Sequence, residues 1–111
     1  MRIAVSVLAV LFALLHMIAA VTQFKASDPA ARGSASLMLC GGVALICSAV
    51  AHLINSSPGA WVDTLSAGVC GLLPICFAAY LNGRRAGNVH PLHHAVRGGI
   101  AVLLVLGFFL W

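Results

Sequence analysis

The sequence predicts an all-α integral membrane protein with four transmembrane helices in an antiparallel up-down bundle. Of the 111 residues, 62% are hydrophobic and only 7% are charged, whereas soluble domains carry roughly 25% charged residues. The apolar residues fall into four segments of about 20 residues, the length that crosses a bilayer core as a helix. Short polar loops join these segments. We therefore predict a single domain whose spans cover about residues 3–24, 35–54, 61–81 and 91–111.

The first segment is predicted to be a retained helix rather than a cleaved signal peptide, because Ile18 stands where a cleavage site ending at Ala20 needs a small residue. Small and weakly polar residues recur along it at spacings of three and four, which predicts one face packed against another helix. Such residues let backbones approach closely in lipid. The seam consists of Ser6, Ala9, Ala13, His16, Ala20 and Gln23, and we expect Leu8, Leu11, Phe12 and Leu15 to lie mainly on other faces.

Proline marks the predicted helix starts. Asp28-Pro29 combines a capping carboxylate with proline at the first helical position, and Ser57-Pro58 and His90-Pro91 repeat the arrangement. Pro74 lies inside the third segment, where it lacks the N–H that would bond to the Cys70 carbonyl, so we expect a kink there. The pair Asn82-Gly83 is predicted to end that helix.

The second and third segments are predicted to form a hairpin whose glycine-bearing faces pack together. The packing glycines are Gly41, Gly42, Gly68 and Gly71. We expect the four cysteines to be small buried residues beside these glycines, with at most one of the level pairs Cys40–Cys76 and Cys47–Cys70 in contact. Cys40-Gly41 with Ile46-Cys47 resembles Cys70-Gly71 with Ile75-Cys76, with one residue deleted. Because the sequence is rich in Ala, Leu, Gly and Cys, we interpret this likeness as a chance alignment.

His16 is the one ionisable residue well inside a predicted span. Ionisable residues within a membrane are candidates for proton carriers or ligands. The plainer interpretation is a neutral imidazole hydrogen-bonded to a neighbouring helix. Both interpretations stay open, and both place the ring inside the bundle.

The densest ionisable cluster is predicted at the membrane surface and consists of His90, His93, His94 and Arg97. His90 and His94 are four residues apart, a workable metal spacing if both are helical. Pro91 weakens that alignment because it puts His90 at or before the helix cap. A basic collar in contact with lipid phosphates is the favoured interpretation, and contact with a protein partner is a third.

Soluble-enzyme motifs are absent from the sequence, and its two acids, Asp28 and Asp63, stand at loop or helix-start positions. We therefore expect neither an enzyme nor a bound cofactor or metal. An intramolecular bis-histidine haem is not expected because His16 and His52 differ in depth by more than about 10 Å along the helices. The six basic residues are spread along the chain, so no nucleic-acid partner is expected.

The basic residues predict the orientation. With four spans, only Arg2 falls on one side of the membrane. The other five basic residues fall on the opposite side: Lys25, Arg32, Arg84, Arg85 and Arg97. The positive-inside rule then puts the first and third loops in the cytoplasm and both termini outside a bacterial inner (plasma) membrane.

The small-residue seams and the lack of catalytic groups favour a small membrane protein that works by helix association. Its partners would be membrane lipids and either itself, as a homo-oligomer, or another membrane protein, as an accessory subunit. The alternative is a small oligomeric transporter or channel in which His16 and the kink at Pro74 line the path.

Overall fold

A computed structural model of the protein describes residues 1–25, 28–54, 61–87 and 90–111, and this part of the chain is helical without strands. Helix α1 comprises Arg2–Phe24, α2 comprises Pro29–Ile54 and α4 comprises Pro91–Leu110. Helix α3 has three consecutive pieces, α-helical at Trp61–Leu65, π-helical at Ser66–Leu72 and α-helical again at Leu73–Arg85. The all-α prediction is confirmed for the described residues, and within them four helices are long and apolar enough to cross a membrane.

The buried face of α1 follows the predicted seam. Its buried residues are Val5, Ser6, Ala9, Phe12, Ala13, His16 and Ala20. Gln23 is half-buried at the end of the same face, while Leu8, Leu11 and Leu15 are exposed. Phe12 lies next to the seam and is buried in apolar packing, with its ring centroid 4.3 Å from that of His16.

Helix α2 begins as predicted at Pro29. The Ala30 N–H donates a hydrogen bond to Oδ1 of Asp28 at 2.9 Å, and the Arg32 N–H donates to the Asp28 carbonyl at 3.2 Å. The Asp28 carboxylate thus satisfies one of the amides that a helix start leaves without partners, and the Asp28 carbonyl accepts the first bond of the helix. The predicted start at Ser57-Pro58 lies outside the described residues.

Glycine allows the close contact between α2 and α3. A Cβ added at Gly41 would lie 2.7 Å from the Gly71 carbonyl oxygen, and one added at Gly71 would lie 2.9 Å from Cβ of Leu45. Gly42 turns instead towards α1, where Met17 Cγ would lie 2.5 Å from an added Cβ. Gly68 is looser, with Val105 of α4 at 3.5 Å. Of the predicted glycines, Gly41 and Gly71 therefore lie in the contact between α2 and α3, while Gly42 packs on α1 and Gly68 faces α4.

Next to Pro74, where a kink is expected, the structure has the π-helical segment, which ends at Leu72, two residues before the proline. The Leu73 N–H donates to the Gly68 carbonyl, five residues back, instead of the usual four. Because the ring of Pro74 carries no N–H and crowds the preceding turn, a widened turn is a way to accommodate it within a continuous helix.

The pattern of buried and exposed residues in α2 recurs in α3. It aligns the two helices differently from the likeness between their cysteine and glycine motifs. Ala67 follows Met38 by 29 positions, and Gly71 follows Gly41 by 30. The burial pattern of residues 41–50 is then the same as that of residues 71–80. Leu45 is therefore equivalent to Ile75, whereas the sequence likeness pairs Ile46 with Ile75.

The predicted end of α3 at Asn82-Gly83 was wrong, since the helix continues to Arg85. The Asn82 side chain does not compete with its own backbone, because it hydrogen-bonds to α1 and α2. Gly87 follows two residues after the end of the helix, and its φ of +64° is the left-handed conformation that favours glycine after a helix. The Gly87 N–H donates to the Arg84 carbonyl at 3.2 Å.

The buried residues of helix α4 lie in its second half. Its buried residues are Leu104, Gly107 and Phe108, and none of residues 91–100 is buried. A Cβ added at Gly107 would lie 2.9 Å from a methyl carbon of Val5. At the end of the chain, the Arg2 side chain donates a hydrogen bond to the Trp111 carbonyl. The first half of α4 therefore leaves room between itself and the other helices.

The prediction that the cysteines are buried was wrong. Cys40, Cys47 and Cys70 are exposed, Cys76 is half-buried, and all four are free thiols. The buried face of α2 runs through Met38, Gly41 and Leu45. Cys40 and Cys47 lie seven residues apart on another face, which in a membrane would contact lipid.

Candidate functional site

A cavity of about 440 Å³ opens at the end of the bundle where α1 ends and α4 begins. All four helices contribute to its wall. It combines apolar side chains from α1, α2 and α3 with a polar set that consists of His16, Gln23, Asn82, His90, His93, His94 and Arg97. The structure therefore brings together two candidates that the sequence places apart, the intramembrane His16 and the surface cluster on α4.

His16 reaches the cavity from the buried face of α1, and 9% of its side chain is exposed. Its Nδ1 lies 2.8 Å from the Phe12 carbonyl oxygen, one helical turn back. A carbonyl can only accept, so Nδ1 carries the proton and donates. In the neutral ring Nε2 is then a bare acceptor, and it has no hydrogen bond to the described part of the chain.

Arg97 supplies the positive charge of the cavity and is held in place by His93. Nη2 of Arg97 lies 3.2 Å from Nε2 of His93, one turn earlier on α4. A guanidinium can only donate, so His93 accepts this bond through Nε2 and is neutral when the bond forms. Arg97 is half-buried, and its other N–H groups are available as donors.

His90 and His94 lie at the mouth of the cavity. His90 is the residue before α4 and has an extended backbone, with φ −83° and ψ 107°. It therefore does not share a helical face with His94, as the position of Pro91 predicts. The His94 ring packs edge-on against Tyr80 of α3, with centroids 5.9 Å apart. Among the described residues, no group of three His, Cys, Asp or Glu side chains could hold a metal ion.

A hydrogen-bond network, here called the amide network, lies beside the cavity, and two of its residues, Gln23 and Asn82, line the cavity wall. Nδ2 of Asn82 donates to Oε1 of Gln23 at 2.8 Å, and the Ser34 hydroxyl donates to Oδ1 of Asn82 at 2.6 Å. Nη1 of Arg85 donates to the Ser34 hydroxyl at 3.0 Å. The network joins α1, α2 and α3. The sequence analysis treated Asn82 as the end of a helix and did not predict this network. The polar side chains of Gln23, Ser34 and Asn82 at the ends of apolar segments were a signal for hydrogen bonds between helices.

Electrostatically, this end of the protein is positive. Lys25, Arg32, Arg84 and Arg85 are exposed around it. No carboxylate contributes to the described wall of the cavity, and Asp28, the nearest acid along the chain, is occupied as the α2 cap. Arg97 therefore has no acidic partner in the cavity.

Pro74 does not line this cavity. Its ring faces the contact between α2 and α3, 3.3 Å from a Cβ added at Gly41. Of the two residues that the transporter hypothesis places along one path, His16 lines this cavity and Pro74 does not.

The chain matches no protein-family model, no curated protein and no solved structure. The cavity and its side chains therefore carry the functional argument on their own.

Proposed function

We propose that the protein is an integral protein of a bacterial inner (plasma) membrane with four antiparallel helices and both termini outside. Four long apolar helices support insertion. The hydrogen bond from Arg2 to the Trp111 carbonyl supports an arrangement with both ends of the chain on one side. Five of the six basic side chains belong to the opposite side, which the positive-inside rule assigns to the cytoplasm.

A reporter fused after Trp111 is expected to give a periplasmic signal and no cytoplasmic one, while a reporter inserted after Arg85 is expected to give the reverse. Alkaline phosphatase and a fluorescent protein report the two sides. A cytoplasmic signal at Trp111 would contradict the orientation.

The working site of the protein in this proposal is the histidine cavity, and its function is to bind an anionic group at the cytoplasmic membrane surface. The observation that carries the proposal is the meeting of His16, His93 and Arg97 in a cavity wall without a carboxylate. The Arg97 guanidinium in this cavity would be stabilised by a bound anion, because the low dielectric of the site strengthens their attraction. Binding is also the first step of transport, so the same site would serve the transporter hypothesis without Pro74.

Arg97→Gln is expected to weaken the binding of anionic lipid or phosphate by at least about tenfold, the effect of losing a charge-assisted contact of roughly 1.5–3 kcal/mol. Arg84→Gln removes an equal charge from the exposed surface and is the matched control, with little effect expected. Binding would be measured on purified protein in phosphatidylcholine nanodiscs. Equal weakening by both variants would show attraction to the basic surface and not to the cavity.

Helix association remains a second candidate, and the glycines of α4 favour it. Gly41, Gly42 and Gly71 are already used for packing within the chain, whereas Cβ atoms added at Gly98 or Gly99 would meet nothing within 4 Å. These two lie on the unburied half of α4 and are available for a close helix contact. If the protein self-associates there, Gly98→Leu is expected to lower its native mass in detergent to that of a monomer. An unchanged oligomer would exclude this face.

A further inference from the structure

We infer that the anionic group bound in the cavity is a phosphate that keeps a hydroxyl, either inorganic phosphate or a phosphate monoester, because the cavity combines the Arg97 cation with a bare acceptor on His16. The inference rests on the proposed anion-binding function and makes it more specific. Its two ligand forms share one chemistry and differ only in whether the phosphate is free or is a lipid headgroup.

The hydrogen bond that His16 makes to Phe12 identifies Nε2 as the acceptor of its ring. The proton on Nδ1 is directed to the Phe12 carbonyl at 2.8 Å, which leaves Nε2 without a proton in the neutral ring. A second positive charge on this ring would have no counterion, since the cavity wall holds Arg97 and no carboxylate. Nε2 of His16 has no hydrogen-bond partner among the described residues, and because His16 lines the cavity, a ligand that donates can bond to it there.

The donor side of the cavity follows from Arg97. His93 accepts one of its N–H groups and fixes its position, and the remaining N–H groups suit phosphate oxygens in a bidentate geometry. A ligand that satisfies both sides carries negative oxygens for Arg97 and an O–H for His16. A P–OH group provides the O–H, whereas sulfate and phosphate diesters have none and a carboxylate has none either.

The cavity suits a phosphate in either form. Its apolar part comes from Leu15, Met38 and Ala79, and the cavity lies at the end of the protein that carries the exposed basic residues. Inorganic phosphate keeps a hydroxyl near neutral pH. A phosphate monoester, whose second pKa is about 6, keeps one in the singly charged form that this cavity would select.

The test compares ligands of equal charge type with and without the hydroxyl, at about pH 7, on the full chain in phosphatidylcholine nanodiscs. In the lipid arm, phosphatidic acid is a monoester and phosphatidylethanol is an anionic diester without a hydroxyl. In the free-ion arm, inorganic phosphate is compared with sulfate. The hydroxyl-bearing ligand is expected to bind about tenfold more tightly in at least one arm, the ratio for one buried hydrogen bond made or left unmade. The arm that shows the preference identifies the source of the phosphate.

His16→Leu is expected to abolish the preference without abolishing anion binding, and His16→Gln, whose amide oxygen can accept, to restore part of it. His52→Leu is the matched control, because His52 is the other buried histidine and packs against Phe108 away from the cavity. Folding of each variant would be checked by its elution and melting in detergent. If diester and sulfate bind as tightly as their counterparts while Arg97→Gln weakens all four, the proposed function stands and this inference is overturned. If no anion binds, both are overturned.

Discussion

Replacing Gly71 with leucine is expected to force α2 and α3 apart and to lower the free energy of unfolding by about 1–3 kcal/mol or more, the usual cost of overpacking. An added Cβ would lie 2.9 Å from Cβ, 3.1 Å from Cα and 3.2 Å from the backbone nitrogen of Leu45. Since two of these are backbone atoms of a helix, no rotamer change relieves the contact. Unfolding with SDS in mixed micelles would measure the loss.

Gly33→Leu is the matched control, because nothing lies within 4 Å of a Cβ added at Gly33. It adds the same side chain to α2 on an exposed face, and stability is expected to stay constant or to rise slightly, since leucine favours helix more than glycine. If Gly71→Leu unfolds at the same SDS fraction as the unmodified chain, the close contact between the glycine faces does not exist.

Replacing Asn82 with leucine is expected to lower stability by about 1–2 kcal/mol, because the change removes the centre of the amide network. Oε1 of Gln23 would lose its donor at 2.8 Å, and the Ser34 hydroxyl would lose Oδ1 of Asn82 at 2.6 Å and keep the Ala31 carbonyl, at 2.9 Å, as an acceptor. The same unfolding measurement applies. A double-mutant cycle with Gln23→Leu is expected to show a coupling of about 0.5 kcal/mol or more between the two side chains.

Ser36→Ala is the control for the network. The Ser36 hydroxyl is exposed and donates only within its own helix, to the Arg32 carbonyl at 3.0 Å, so its removal is expected to be close to neutral. Additive effects of Asn82→Leu and Gln23→Leu would mean that the two amides do not interact and that the network does not join α1 to α3.

Local features of the sequence predicted the helices well where one physical rule dominates. The spacing of Ala9, Ala13 and Ala20 identified the buried face of α1, because a helix packed in one place repeats its small residues every three or four positions. Asp28-Pro29 identified the start of α2, because capping is local. Pro74 identified the site of an irregularity, although its missing N–H does not dictate whether the helix kinks or widens.

The errors and omissions concern contacts between helices. Asn82 was expected to stop α3, because its preference for local bonds is visible in sequence while Gln23 and Ser34 as partners are not. The outward position of Cys40 depends on which face of α2 meets α1 and α3. His16 and Arg97 share a cavity only because the first half of α4 is unburied, and no local pattern specifies how far one helix packs along another.

The π-helical segment of α3 also determines which way the side chains after it face around the helix axis. Relative to α2, α3 contains one surplus residue between Ala67 and Gly71. In a regular helix, such an insertion would turn the following residues by about 100° about the axis and carry Ile75 out of the interface. The widened turn absorbs the surplus, so Ile75 stays buried. For the same reason, Asn82 further along α3 still faces its partners in the amide network. The π-helical segment thus keeps the buried faces of the two ends of α3 on the same side of the helix.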